Sequence, residues 1–346
     1  MLTIKELLSH SLNKKASDLH LSVGMPPMLR IDGDLLKTAY PVLDQAMAVA
    51  IFHEVMTDLQ LKKFTMQLEL DFSFALEEVA RFRINAFHQA RGFAAVFRTI
   101  PAIIPSMTTL QLPTIFKDIV DAKSGLILIT GPTGSGKSTT LAAIIDYIND
   151  HKPYHILTIE DPIEFTHTSK KSLLHQREVH RDTFSFNEAL RSALREDPDI
   201  MLVGELRDLA TIRLALTAAE TGHLVFGTLH TSSAAKTIHR IIDVFPGDEK
   251  PMVRSLLSES LQAVICQSLL KKSTGGRVGA FEIMRCTPAI RNLIREDKTA
   301  QMYSAIQTSA NIGMQTLDQH LQRLVNDRII EKATAYCVAV NKDAFN

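Results

Sequence analysis

Residues 131–138 read GPTGSGKS, following the apolar run 126–129 and preceding the helix-forming stretch 139–148. A polyphosphate is a dense cluster of anionic oxygens. It binds where successive backbone N–H groups converge and a helix N-terminus adds positive potential. Gly131, Gly134 and Gly136 let the backbone curl around such a group without Cβ clashes. Lys137 is then placed to reach the β- and γ-phosphates and the Ser138 hydroxyl to ligate Mg²⁺, with Pro132, Thr133, Ser135 and Thr139 completing the nucleotide-binding loop. An ordinary glycine turn would require neither the spacing nor the Lys-Ser ending. The loop therefore points to a Mg²⁺-dependent nucleoside triphosphatase.

A chain of 346 residues exceeds what one core usually serves, so two domains are expected, the first ahead of the loop. With 38 basic and 38 acidic side chains, the overall balance gives no support to nucleic-acid or acidic-membrane binding. The three cysteines, Cys266, Cys286 and Cys337, are widely spaced and form no CxxC pair, so neither a disulfide framework nor a zinc site is indicated. The opening MLTIKELLSHSLNKKASD has charges at Lys5 and Glu6 and no unbroken apolar core, unlike a secretory signal. No window approaches the ~18 apolar residues that a membrane span requires. A cytoplasmic protein is expected, peripheral at a membrane only through a partner.

Residues 3–12 place Ile4, Leu7, Leu8 and Leu12 at helical spacing. In MLRIDGDLLK, Asp32-Gly33 lies between apolar runs, the signal of a tight turn joining antiparallel strands. The alternation in 70–76 and 81–87 predicts a further strand pair, which 92–100 extends. The first hundred residues thus read as a small α/β sandwich. Pro101, Pro105 and Pro113 punctuate an aperiodic stretch, 101–113, taken as a linker. Beyond it, apolar strands at 126–129, 155–159, 200–203 and 223–227 alternate with helix-like segments, which predicts a mainly parallel sheet covered on both faces. Ligands of such sheets bind at the carboxyl ends of the strands.

Polar residues gather at those ends. After the second strand come Glu160, Asp161, Glu164 and His167; carboxylates beside a triphosphate hold Mg²⁺ or orient water, whereas alone they would suit a solvated loop. The third strand, DPDIMLVGELRD, ends in Gly204 and Glu205, the arrangement in which a carboxylate meets the metal or its water ligands, with glycine where aspartate is usual. Metal holding and water activation are therefore open between Glu205 and Glu160. His223 and His230 bracket the fourth strand. Seven extended residues span roughly 23 Å, too far for a shared metal. His230 suits sensing of the γ-phosphate; His223 suits either that chemistry or an interior hydrogen bond.

Together, GPTGSGKST, ILTIEDPIEFTH, IMLVGELRD and TGHLVFGTLHTSSA resemble the Walker A, Asp-box, Walker B and His-box signatures of the type II/type IV secretion ATPase superfamily, in the right order. ASDLHLS and RIDG resemble the opening of its pilus-retraction branch, and AIRNLIRE at 289–296 a segment of that branch, so the likeness spans nearly the whole chain. It implies a PAS-like α/β domain (1–100), a linker (101–113) and a RecA-like P-loop core with a helical C-terminal region (114–346). It also implies a homohexamer that hydrolyses ATP with Mg²⁺, held by Ser138 and Glu205, to retract a type IV pilus. Glu160, Glu205 and His230 would be catalytic, with Arg83 and Arg98 approaching the phosphates. Guanidinium groups suit charge developing on a transferred phosphoryl; surface ion pairing is the alternative. An inner-membrane platform protein and an accessory retraction ATPase would be partners. An assembly or type II secretion ATPase normally carries a further amino-terminal domain and a tetracysteine module; a nucleic-acid translocase would want a basic surface. AIRNLIRE by itself has only the apolar stripe Ala289, Ile290, Leu293 and Ile294 of an amphipathic helix.

Overall fold

The computed structural model describes residues 3–31, 33–76, 80–100 and 103–346. Asp32 of the expected turn and Pro101 of the expected linker lie outside them. The chain divides into two units, Met1–Ile103 with Pro162–Thr166, and Ile104–Asp161 with His167–Asn346.

The first unit is built on an antiparallel sheet of order β3-β2-β1-β6-β5-β4. Its strands are β1 (Asp18–Ser22), β2 (Met28–Ile31), β3 (Asp34–Lys37), β4 (Glu69–Leu76), β5 (Ala80–Gln89) and β6 (Gly92–Ile100). Ile31 pairs with Asp34, so two residues close the β2–β3 turn, and Gly33 takes a φ of 99°, which favours glycine. The alternation read in β5 sends Phe82, Ile84 and Ala86 into the core, leaving Arg83 on the other face. Helix Ile4–Asn13 starts in a capping box of Thr3 and Glu6 and buries Leu7 and Leu8 in the same core. Each such side chain contributes about 1.5–3 kcal/mol on burial. Pro162–Thr166 joins this unit, where Thr166 Oγ1 accepts from Arg81 Nη1 at 2.6 Å.

The second unit carries a sheet of order β13-β12-β7-β11-β10-β8-β9. Its strands are β7 (Gly125–Thr130), β8 (His155–Glu160), β9 (Leu173–Glu178), β10 (Ile200–Val203), β11 (Leu224–Leu229), β12 (Leu261–Lys271) and β13 (Arg277–Arg285). All neighbours are parallel except β12 and β13. Leu126 and Leu128 enter one core, Ile127 and Ile129 another, which is why the strand reads as an unbroken apolar run. The sheet exceeds the four expected strands by β9, β12 and β13. β12 follows helix Lys250–Ser260 with no glycine or proline to mark the change, and Gly275-Gly276 lies in the connection to β13. The AIRNLIRE segment forms helix Pro288–Arg295, capped by Thr287. Ile290 and Ile294 are buried, whereas Ala289 is exposed and lies off the buried stripe. The Arg291 guanidinium donates to the carbonyls of Ser258 and Glu259, which docks the helix on Lys250–Ser260. Among the described residues no helix is long and apolar enough to cross a membrane.

Helix Leu317–Asn326 joins β13 through His320, whose Nδ1 accepts from Phe281 N at 2.9 Å while its ring stacks on Phe281. Burial, then the charge of Arg323, pushes its pKa down to about 4. Because this lies below the unfolded value, the unfolded chain binds the proton first, and stability is complete above pH ~6.5 and drains as pH falls towards 4. Each such histidine can remove up to about 3 kcal/mol across that window. His167, whose pKa burial also lowers to about 4, adds to the slope. The melting temperature should therefore fall steeply between pH 6.5 and 4, and His320→Gln should make the decline shallower; an unchanged slope would contradict this account.

Candidate active site

β7 delivers the chain into the glycine loop, and helix Lys137–His151 leaves it. The helix is capped by Gly136 at φ 88° with no side-chain hydrogen bond, so its first N–H groups are available to an anion. Gly131 has φ 145°, and a Cβ there would lie 2.2 Å from Gln267 O and 2.7 Å from Ser135 Oγ. Any side chain would push the loop off β12. Gly134, at φ 79°, is required by its backbone alone, since a Cβ there would meet nothing within 4 Å. The Lys137 ammonium is buried and donates to Gly131 O at 2.8 Å and Pro132 O at 3.1 Å, tying the loop into a ring. Ser135 Oγ is buried with no hydrogen-bond partner among the described residues. Pro132, Thr133 and Gly134 are exposed, Ser138 and Thr139 half-buried. The buried Ser135 hydroxyl, a backbone that only glycine can follow and a helix N-terminus form a cradle for phosphate.

Strand order sets what faces this cradle. β11 lies between β7 and β10, and β8 lies beyond β10, so the carboxyl ends of all four strands share one edge. There Glu205, just after β10, meets His230, just after β11, with Oε1 3.3 Å from His230 Nε2. Its Oε2 lies 2.7 Å from Arg207 Nη2. Burial alone would raise the Glu205 pKa, but the hydrogen bond and charge of Arg207, with His230 behind them, outweigh it and hold the carboxyl below its ordinary value. Glu205 is therefore an anion at neutral pH. Arg207 went unnoticed in the sequence, although its place two residues beyond Glu205 was the available signal.

The glycine at position 204 has a packing reason. Its N–H donates to Ile159 O at 2.8 Å, and a Cβ there would sit 3.2 Å from that oxygen and 3.3 Å from Glu160 Cα. Thr228 Oγ1 also donates to Gly204 O, locking β10 to β11 at the point where Glu205 emerges.

Glu160 is the last residue of β8 rather than the first of the loop. Its Oε1 accepts from Thr158 Oγ1 at 2.6 Å and from Gln176 Nε2 at 3.2 Å, and Gln176 Oε1 accepts from His167 N at 2.7 Å. Strand alternation placed Thr158 and Glu160 on one face; Gln176 comes from the unforeseen β9. His223 precedes β11, at the edge opposite His230, where its Nδ1 lies 3.0 Å from Ala218 O and 3.3 Å from Thr221 Oγ1. It serves a helix terminus, not the phosphate edge. Gln267 of β12, also unforeseen, backs the loop, accepting from Thr140 Oγ1 at 2.8 Å.

In the first unit the register sets Arg83 directly opposite Arg98, Arg98 opposite Asp18, and Asp18 opposite Arg30, one row across four strands. Arg98 Nε donates to Asp18 Oδ1 at 3.0 Å, and its side chain is 62% exposed against 7% for Asp18. The row sets the two arginines side by side, with Arg98 paired to the buried Asp18 carboxylate.

A glycine-lined phosphate cradle at the carboxyl edge of a mainly parallel sheet, faced by a carboxylate–histidine pair, defines a P-loop nucleoside triphosphatase. Comparison narrows the class. The family profile described as "Type II/IV secretion system protein" matches residues 1–274. A Pseudomonas aeruginosa relative named "Type IV pilus retractation ATPase PilT" is 64% identical over 332 residues, covering 96% of each chain. The "Twitching motility protein" of Neisseria gonorrhoeae is 57% identical over 321 residues, covering 92% of this chain and 86% of its own. A crystal structure described as the pilus retraction motor PilT with bound ADP superposes with a TM-score of 0.92 at 47% identity, over 99% of this chain and 98% of that one. The chain belongs to the type II/IV secretion system protein family.

Proposed function

We propose that this chain is an ATPase that powers retraction of a type IV pilus, and with it twitching motility. The observation that carries the reading is the Glu205–His230 pair, held at the carboxyl ends of β10 and β11, of which β11 adjoins the strand that enters the phosphate loop. ATP would lie with its phosphates on the backbone N–H groups of 133–139, its charge met by Lys137. The buried Ser135 hydroxyl, which has no partner among the described residues, and the open space beside Gly134 fit such a polyphosphate. Ser138 and Glu205 would hold Mg²⁺, which needs few protein ligands when phosphate oxygens and water supply the rest. The bound ion supplies charge neutralisation for the leaving diphosphate.

Glu205, kept anionic by Arg207, orients or deprotonates the attacking water, and His230 hydrogen-bonds the γ-phosphate oxygens. Glu160, anchored by Thr158 and Gln176, is the second carboxylate able to take the metal-holding or water-activating part. Arg83 and Arg98 are proposed to stabilise charge on the transferred phosphoryl, as the family resemblance implies. Arg98 donates to Asp18 through Nε, and its side chain is largely exposed. We further propose a homohexamer acting at the cytoplasmic side of the inner membrane on a PilC-like platform protein, alongside a PilU-like ATPase, with no insertion into the bilayer. Hydrolysis by the purified chain should be indifferent to duplex DNA, in keeping with its balanced charge of 38 against 38. Strong stimulation by DNA would instead favour a translocase.

A further inference from the structure

Glu282 of β13 is 3% exposed and takes no part in the phosphate chemistry above. A buried carboxylate survives only where donors converge on it. Here the donors are the amino-terminal N–H groups of two helices. Glu282 Oε1 accepts from Ala234 N at 2.7 Å, the first residue of helix Ala234–Asp243, and the carboxylate also accepts from the backbone N–H of Leu317, the first residue of helix Leu317–Asn326. The first of these helices begins four residues after His230.

A second set of contacts runs from the same place to the phosphate loop. Glu282 pairs across the sheet with Cys266, and Cys266 with Thr130, the residue before Gly131. Thr130 Oγ1 donates to Cys266 Sγ at 3.1 Å, and Thr237 hydrogen-bonds the same sulfur. The Thr237 hydroxyl lies 2.7 Å from that of Thr231, next to His230. Thr130, Thr237 and Cys266 are all buried, so these bonds are shielded from water.

We propose that Glu282 is a positioning residue for turnover: it holds the segment after His230 so that His230 stays on Glu205, and it ties that geometry to the helix Leu317–Asn326. The contact at stake is the 3.3 Å approach of His230 to Glu205, which tolerates little movement of its loop. Nucleotide binding rests on the glycine loop and helix Lys137–His151, which Glu282 does not touch. The proposal rests on the ATPase reading of His230.

Full-length Glu282→Ala should lower kcat about tenfold while ADP affinity, measured calorimetrically, stays within about twofold. Glu282→Gln, which keeps an oxygen for Ala234 N–H, should return to within about threefold of the wild type. Adding His230→Ala to Glu282→Ala should cost nothing beyond His230→Ala alone, because both act on one contact. Thr237→Val is close in shape, creates no unpaired charge and should lower kcat about threefold with the same non-additivity, giving a second cycle if Glu282→Ala does not fold. Wild-type kcat in both Glu282→Ala and Thr237→Val, or losses that add to that of His230→Ala, would overturn the proposal. Wild-type turnover of His230→Ala would overturn the underlying role of His230 as well.

Discussion

Lys137→Ala should abolish ATP hydrolysis for practical purposes, lowering kcat/KM by at least about a hundredfold. Two losses combine. The ammonium is the cation of the loop itself, and charge-assisted hydrogen bonds to phosphate are worth about 1.5–3 kcal/mol. It also donates to the Gly131 and Pro132 carbonyls, so its removal releases the ring that presents the N–H groups. ATP affinity and turnover should fall together. The fold should survive, because the core around helix Lys137–His151 is carried by Leu141, Ile144, Ile145 and Ile148, which are untouched. Steady-state hydrolysis and a thermal melt on the same preparation separate the two effects. Activity within threefold of the wild type would remove Lys137 from the mechanism.

Glu205→Gln should have a different signature. The amide keeps the shape and one acceptor but loses the charge that Arg207 and His230 maintain, and with it any capacity to take a proton. A general base or metal-bound carboxylate of this kind contributes about 10²–10⁴-fold, so kcat should fall by about that factor while nucleotide affinity stays within a few-fold. The protein would then bind ATP without consuming it. Rapid-quench measurement of a single turnover checks the chemical step directly. Glu160→Gln in parallel resolves the division between the carboxylates: the larger fall in kcat marks the water-activating residue. If both variants hydrolysed ATP at the wild-type rate, the catalytic assignment would fail.

What could be read in the sequence and what could not divides along range. GPTGSGKS is local, because strand, glycine turn, lysine and helix lie within one continuous stretch, and their order dictates the loop. Glu205 and His230 were visible because each ends an apolar strand, and a parallel sheet places all such ends on one edge. The opposition of Arg83 and Arg98 was also implicit, since both are equally far from the Ala90-Arg91 turn that closes β5 on β6. The rest depends on contacts between distant segments. Gln267 backs the loop from β12, Gln176 holds Glu160 from β9, and Glu282 reaches Ala234 from β13. None of these polar residues carries a periodic signature that names its partner. The glycine at 204 looked like a departure from an acidic position, and only the approach of Ile159 O and Glu160 Cα gives it a reason. His223 shows the opposite limit: it flanks the same strand as His230, yet it stands before that strand and so at the other edge of the sheet.

The central claim is that hydrolysis at this loop drives pilus retraction, and twitching motility tests it most directly. In a strain whose only copy of the gene carries Lys137→Ala, at wild-type protein level, surface pili should be retained and twitching lost. Normal twitching in that strain would contradict the account.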